Sequence, residues 1–361
     1  MSTASALPAE WNPNANNTGR ALAFNGSEII AGGDWNLIGP RERGGWARFG
    51  LAPANQTLTY KTAARAISGA TAANVYAAVI SGTALYIGGD FLSINYSTTR
   101  NRIAAVSTTT GVATSFDTNM NNVVRALTLD SANNLLYAGG DFTTVNGGTT
   151  RNRLAALSTS TSVANAFDPN MSNQVHALAL DTTNSLVYAG GTFTTVNGAT
   201  TRNGLAVLGA ADGTATSWDP NVSNTVRALA LDPAAGLLYA GGDFITVNGA
   251  TTRNRLAAIA TSTATATSWN GNANIVVYAL ALDGGGLLYA DGQFTTVNGA
   301  TTRNRAASLS TATATASSWN PNLNTSAWSL GISVPSKRIA LGGVFTTAGG
   351  LSRLSLATYG P

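Results

Sequence analysis

The side chains of this sequence best suited to chemistry occupy one recurring place. Arg20, Tyr76, Arg125, His176, Arg227, Tyr278 and Trp328 each precede a small residue and then, in most copies, Leu, as in Arg125-Ala126-Leu127. Their neighbours hardly change from copy to copy, whereas this position varies among large cationic and aromatic types. Such side chains bind. Arg offers a planar fork of donors, and Arg, Tyr and Trp are the types in which interface energy concentrates. The seven are therefore the candidate ligand- or partner-binding residues.

A catalytic reading finds little to stand on. The chain has one His, His176, three Glu (Glu10, Glu28 and Glu42) and no Cys. It carries no phosphate-cradling loop and no nucleophile elbow, so the expectation is a protein that is not an enzyme and needs no cofactor. Asp130, Asp181, Asp232 and Asp283 recur one per copy and so diverge, whereas calcium needs roughly six to eight converging oxygens. No metal site is expected.

The formal charge of +4 rests on twenty basic residues, of which only Lys61 and Lys337 are Lys. Most of the Arg residues fall in columns of the repeat: Arg43, Arg100, Arg151, Arg202, Arg253 and Arg303, then Arg102, Arg153, Arg255, Arg305 and Arg353, then Arg20, Arg125 and Arg227. Repeat-locked Arg is first structural. The Arg-Asn-Arg columns are expected to satisfy backbone carbonyls and an Asp such as Asp141 or Asp243. Nucleic-acid binding, which calls for a basic stripe, is not expected.

Elements of period two must position these residues. A Leu-Tyr-Ala-Gly-Gly-Asp-Phe segment marks the repeat, its first Gly position falling at Gly32, Gly88, Gly139, Gly190, Gly241, Asp291 and Gly342, about fifty residues apart. Each unit reads as four antiparallel strands: Arg125 to Asp130, Leu135 to Phe142, Arg153 to Leu157, and a Thr/Ala alternation such as Thr214 to Trp218. A polar loop separates the second strand from the third, and Asp-Pro-Asn turns (Asp168 to Asn170, Asp219 to Asn221) close each unit. No segment has a helical apolar period. Seven such units predict an all-β, seven-bladed β-propeller, a single domain over residues 1–361. Its last blade is completed by residues 3–14, with Trp11 in the place of Phe116, Phe167, Trp218, Trp269 and Trp319. These aromatics either pack between blades or offer sugar-stacking platforms, and packing is the favoured reading.

At these residues the sequence resembles the bacterial delta-sixty repeat family of β-propellers. Gly139 to Gly147 (Gly-Gly-x-Phe-x-x-Val-Asn-Gly), Arg151 to Leu157 and Phe167 to Ala177 carry the resemblance, which extends over the whole chain. It implies the fold and a place in large surface or extracellular proteins, not a reaction. Residues 46–77 depart from the pattern.

Residues 1–20 contain no basic segment followed by an apolar core, and no apolar run approaches the roughly 18 residues that span a bilayer. The expectation drawn from this is a non-enzymatic structural or adhesive binding module of a larger assembly, with a phage virion (tail) component favoured over a secreted surface adhesin. Its partners would be other proteins of that assembly and possibly glycans, with neither nucleic acid nor membrane insertion. A lectin with repeated blade pockets and a polysaccharide hydrolase or lyase are the alternatives.

Overall fold

Short apolar runs bounded by Asn, Gly and Ser turns fold here into antiparallel hairpins. The computed structural model describes residues 7–9, 12–26, 28–39, 41–42, 45–50, 74–95 and 98–360. Trp11 and most of the atypical stretch, residues 51–73, lie outside them. The described residues contain no helix. They form small antiparallel sheets of two to four strands in repeated units.

One unit serves for all. Val124–Asp130 pairs with Leu135–Gly140, which pairs with Leu154–Ser158. The second strand ends at the Gly-Gly pair, two residues before the expected Phe142. The third begins at Leu154, because Arg153 has left-handed backbone, φ 66°. The segment read as a polar loop contains a two-residue ribbon, Thr144–Val145 against Thr149–Thr150.

Among the described residues the expected fourth strand is regular only at Ala266–Asn270. In four other units, Thr214 to Trp218 included, it is reduced to a single bridge such as Leu208 with Ala215. In regular and irregular units alike an Arg of the first column bonds a carbonyl of this segment: Arg202 Nη2 donates to Thr216 O at 2.5 Å, Arg151 to Asn165 O likewise, and Arg253 to Thr267 O within the regular strand. Arg353 donates in the same way to Ala9 O at 2.8 Å, while the Ala9 amide donates to Thr358 O at 2.7 Å. The N-terminal segment thus stands beside the last unit in the place of its fourth strand, as far as the described residues go. These bonds also move Arg353 into the first Arg column, not the second.

The core lies between units. Tyr137, Leu154 and Phe167 of one unit pack on Val175, Val187 and Phe193 of the next, and Ala340 and Leu356 of the last unit pack with Ile29, Trp35 and Phe49 of the first. Edge-to-face pairs recur at these junctions: Tyr86 with Phe116, Tyr137 with Phe167, Tyr239 with Trp269 and Tyr289 with Trp319, each at 5.2 Å. The first strands Gly19–Asn25, Val75–Ser81, Val124–Asp130, Val175–Asp181, Val226–Asp232, Val277–Leu282 and Ala327–Ser333 are neighbours in series, and the last of them also lies beside the first.

Candidate functional site

A β-bulge sets the site in every unit. The pairing of first and second strands shifts register between Gly19 and Ala21, Val75 and Ala77, Val124 and Ala126, Val175 and Ala177, Val226 and Ala228, Val277 and Ala279, and Ala327 and Ser329. The residue skipped each time is one of the seven candidates. A bulge leaves its extra residue out of the ladder and re-aims its side chain. All seven, Arg20, Tyr76, Arg125, His176, Arg227, Tyr278 and Trp328, line one cavity of about 190 Å³. Below it a second space of about 270 Å³ runs along the following small and apolar residues, among them Ala77, Ala126 and Leu178.

Behind the candidates stands a column that sequence reading assigned elsewhere. The residue after Gly-Gly faces the bulged residue of its own unit. Arg20 pairs with Asp34. Arg125 forms a fork on Asp141 at 2.7 and 2.6 Å, and Arg227 Nε donates to Asp243 at 2.7 Å. Tyr76 donates its hydroxyl to Asp90 at 3.1 Å, and Asn74 Nδ2 reaches the same carboxylate at 2.7 Å. Asp141 and Asp243 therefore belong to Arg125 and Arg227, a correction to their expected pairing with the Arg-Asn-Arg columns. Those columns bond backbone carbonyls: Arg153 reaches Asp141 O and Arg305 reaches Gln293 O. The signal lay in the sequence. Each bulged Arg is matched by an Asp, whereas His176, Tyr278 and Trp328 are matched by Thr192, Gln293 and Val344.

Flat side chains stack around most of the mouth. Arg227 lies over Tyr278 (5.7 Å), Tyr278 is parallel to Trp328 (4.6 Å, 8°), and Arg20 lies between Trp328 (5.2 Å) and Tyr76 (5.3 Å), with Arg125 over the far side of Tyr76 (5.9 Å). His176 is the one member outside this stack. Burial first, then the Arg125 and Arg227 guanidiniums, hold its imidazole down at about 4, opposed in part by Asp141 and Asp243, so at neutral pH it is uncharged. Burial raises the Tyr76 and Tyr278 hydroxyls, which stay protonated.

The other candidates have packing or turn contacts. Phe116, Phe167, Trp218, Trp269 and Trp319 are at most 7% exposed, and the Trp218 and Trp269 ring N–H groups donate to Ala260 O and Ser310 O of the following unit, so these rings pack between units. Asp130 and Asp181 accept from the backbone and side-chain amides of Asn133 and Asn184, which closes the turn after each first strand. Among the described residues no group of His, Cys, Asp or Glu could hold a metal ion.

No protein-family model matches the chain, and no curated protein matches it. Among solved structures it is similar to the crystal structure of the computationally designed Ika8 protein, with a TM-score of 0.58 and 12% identity over 99% of this chain and 100% of that one. At that identity the likeness concerns the fold alone.

Proposed function

We propose that the seven units close into one seven-bladed β-propeller of the delta-sixty repeat type, its last blade completed by residues 3–14. On this reading the chain is a non-enzymatic structural or adhesive module of a larger virion or cell-surface assembly that engages its partner at the mouth. The ring is supported by the cyclic neighbourhood of the first strands and by the bonds of Ala9 to the last unit. The virion or surface setting is supported only by the repeat motifs and the composition.

The observation that carries the binding role is the convergence of a varied column. Side chains needed only for folding should look alike in every copy, as Gly-Gly, Phe and Ala-Leu nearly do. The seven of this column do not, the residue behind them changes with them, and they are held out of the ladder by a bulge and collected around one cavity. Arg and aromatic side chains in such a place are typical anchors, each worth about 2 kcal/mol or more on truncation.

The test is attachment of labelled protein to the particle or envelope fraction of its source. The triple variant Arg125→Ala, Arg227→Ala, Trp328→Ala should lower affinity at least tenfold, about 1.4 kcal/mol, with the β-sheet circular dichroism spectrum unchanged. Attachment that survives this change but is lost on substituting Asn133 and Asn184, in the turns after the first strands, would place the binding surface elsewhere.

A further inference from the structure

The mouth has one sector unlike the rest. From Arg227 through Tyr278, Trp328, Arg20 and Tyr76 to Arg125, each flat side chain covers its neighbour's face. Between Arg125 and Arg227 the series breaks at His176. Its imidazole has no hydrogen-bond partner among the described residues, and neither has the buried hydroxyl of Thr192, which stands where the Arg-bearing units have Asp. Arg227 reaches Asp243 through Nε alone, leaving both of its Nη groups without a partner among the described residues. The sector is therefore rich in donors, while Asp141 is engaged through both oxygens and Asp243 through Oδ2.

We propose that the sector bounded by Arg125, His176 and Arg227 binds a small monocarboxylate, taken up together with one proton on His176. The inference rests on the mouth being a binding surface and adds the chemistry of its ligand.

Three observations point to this class. First, the unpartnered groups are the Arg227 Nη donors, the Thr192 hydroxyl and an imidazole whose second nitrogen also becomes a donor on protonation, which calls for an acceptor-only ligand such as an ionised carboxylate. Second, the charges restrict the ligand to a monoanion. Three guanidiniums, Arg20, Arg125 and Arg227, face four carboxylates, Asp34, Asp90, Asp141 and Asp243, a formal balance of one negative charge. A dianion would deepen that charge, whereas a monoanion arriving with a proton leaves it unchanged. Third, His176 is the group placed to take the proton. It is the only His in the chain, and the charged groups acting on it are Arg125, Arg227, Asp141 and Asp243. An anion between the two guanidiniums offsets their repulsion of the ring proton, which after burial is the next cause that keeps the ring neutral. The cavity of about 190 Å³ limits the ligand to about one ring in size, since a cavity of about 150 Å³ accepts benzene.

Because the chain has a single His, its ring proton resonance reports the site without ambiguity. The experiment is a pH titration of that resonance in the full chain with propionate, with sulfate and with chloride at equal ionic strength. Saturating propionate should raise the titration midpoint by at least one pH unit, which means at least tenfold tighter binding to the protonated ring. Sulfate should move it no further than chloride does. In calorimetry, with affinity referred to the ionised form of propionate at each pH, His176→Gln should bind with no remaining pH dependence, and Arg227→Lys, which keeps the charge but loses the fork, should bind at least threefold more weakly. The proposal is overturned if propionate leaves the midpoint where chloride does, if sulfate matches propionate, or if His176→Gln retains the pH dependence. Should propionate fail while the triple variant still loses attachment, this inference falls and the mouth remains a partner surface.

Discussion

The junctions between units and the mouth are built from the same seven copies, yet they obey opposite rules. At a junction the second-strand Gly admits the Val of the next unit: a Cβ added at Gly190 would lie 2.7 Å from Val226 Cγ1, and one added at Gly241 would lie 2.6 Å from Val277 Cγ1. Only one shape fits, so the copies agree. At the mouth the bulged residue has left the ladder and faces a cavity, so Arg, Tyr, His and Trp all fit provided the residue behind them changes too. Uniformity here follows from packing and variety from its absence.

The comparison breaks at its hardest point if junction aromatics prove replaceable. Trp218→Ala removes a buried ring and its bond to Ala260 O and should cost about 3–5 kcal/mol in urea unfolding. A cost under about 1 kcal/mol would mean that the junctions do not carry the fold.

His176 should couple the mouth to pH. Its folded value, about 4, lies below the unfolded value near 6.5, so in that window the unfolded chain binds the proton that the folded chain refuses. The folded state is fully favoured above about 6.5 and loses roughly 3 kcal/mol as pH falls towards 4. His176→Gln should flatten that part of the stability curve. An unchanged slope would show that another group sets it.

The sixth unit supplies an exception that sharpens the rule. Asp291 stands where the other copies have Gly, fully buried, its carboxyl near the Ala279 backbone but with no hydrogen bond of ordinary geometry, and the next unit makes room by carrying Ala327 where Val is usual. Burial pushes its carboxyl well above the ordinary carboxylate range. The folded state therefore keeps a proton that the unfolded chain gives up above about pH 4, and stability falls as pH rises from there. Asp291→Gly should raise stability by about 1 kcal/mol at neutral pH, in line with relieving an unsatisfied buried group, and by less in acid. No gain at neutral pH would mean that the carboxyl is accommodated without penalty.

The smallest effect belongs to the mouth itself. Arg125→His with Asp141→Thr copies the His176 and Thr192 pair of the neighbouring unit, so it removes a partly exposed ion pair and leaves no lone carboxylate. Its cost should stay within about 1 kcal/mol, whereas Arg125→Ala alone, which strands Asp141 at 13% side-chain exposure, should cost more. Equal costs for the two variants would mean that the pair is not a unit.

Much of this was legible before any coordinates. The period, the strand order and the junction role of the aromatics follow from residues such as Gly139, Tyr137 and Phe167. The seven candidates stood out because internal copies act as their own comparison. Other features were less visible. The Thr144–Val145 ribbon was hidden because Thr-rich segments suit turn and strand alike. The fourth strand was overestimated because Thr/Ala alternation reports an extended chain without saying how much of it pairs with the third strand, which in most units is a single bridge such as Leu208 with Ala215. The bulges at residues 20 to 328 of the varied column had no local signature.

What the sequence determined by itself is whatever depends on neighbours along the chain: hairpin after hairpin, with apolar faces that no single unit can bury and so must be covered by the next. What only the tertiary structure decided is which residues share a register and which side chains meet around the mouth. The match of Arg125 with Asp141, sixteen positions on, depends on a bulge that slips the ladder by one residue. The gathering of Arg20 with Trp328 depends on the last unit lying beside the first. Both are relations across hydrogen-bonded strands and packed faces, fixed by how many residues each strand contributes and not by which residues are adjacent in sequence.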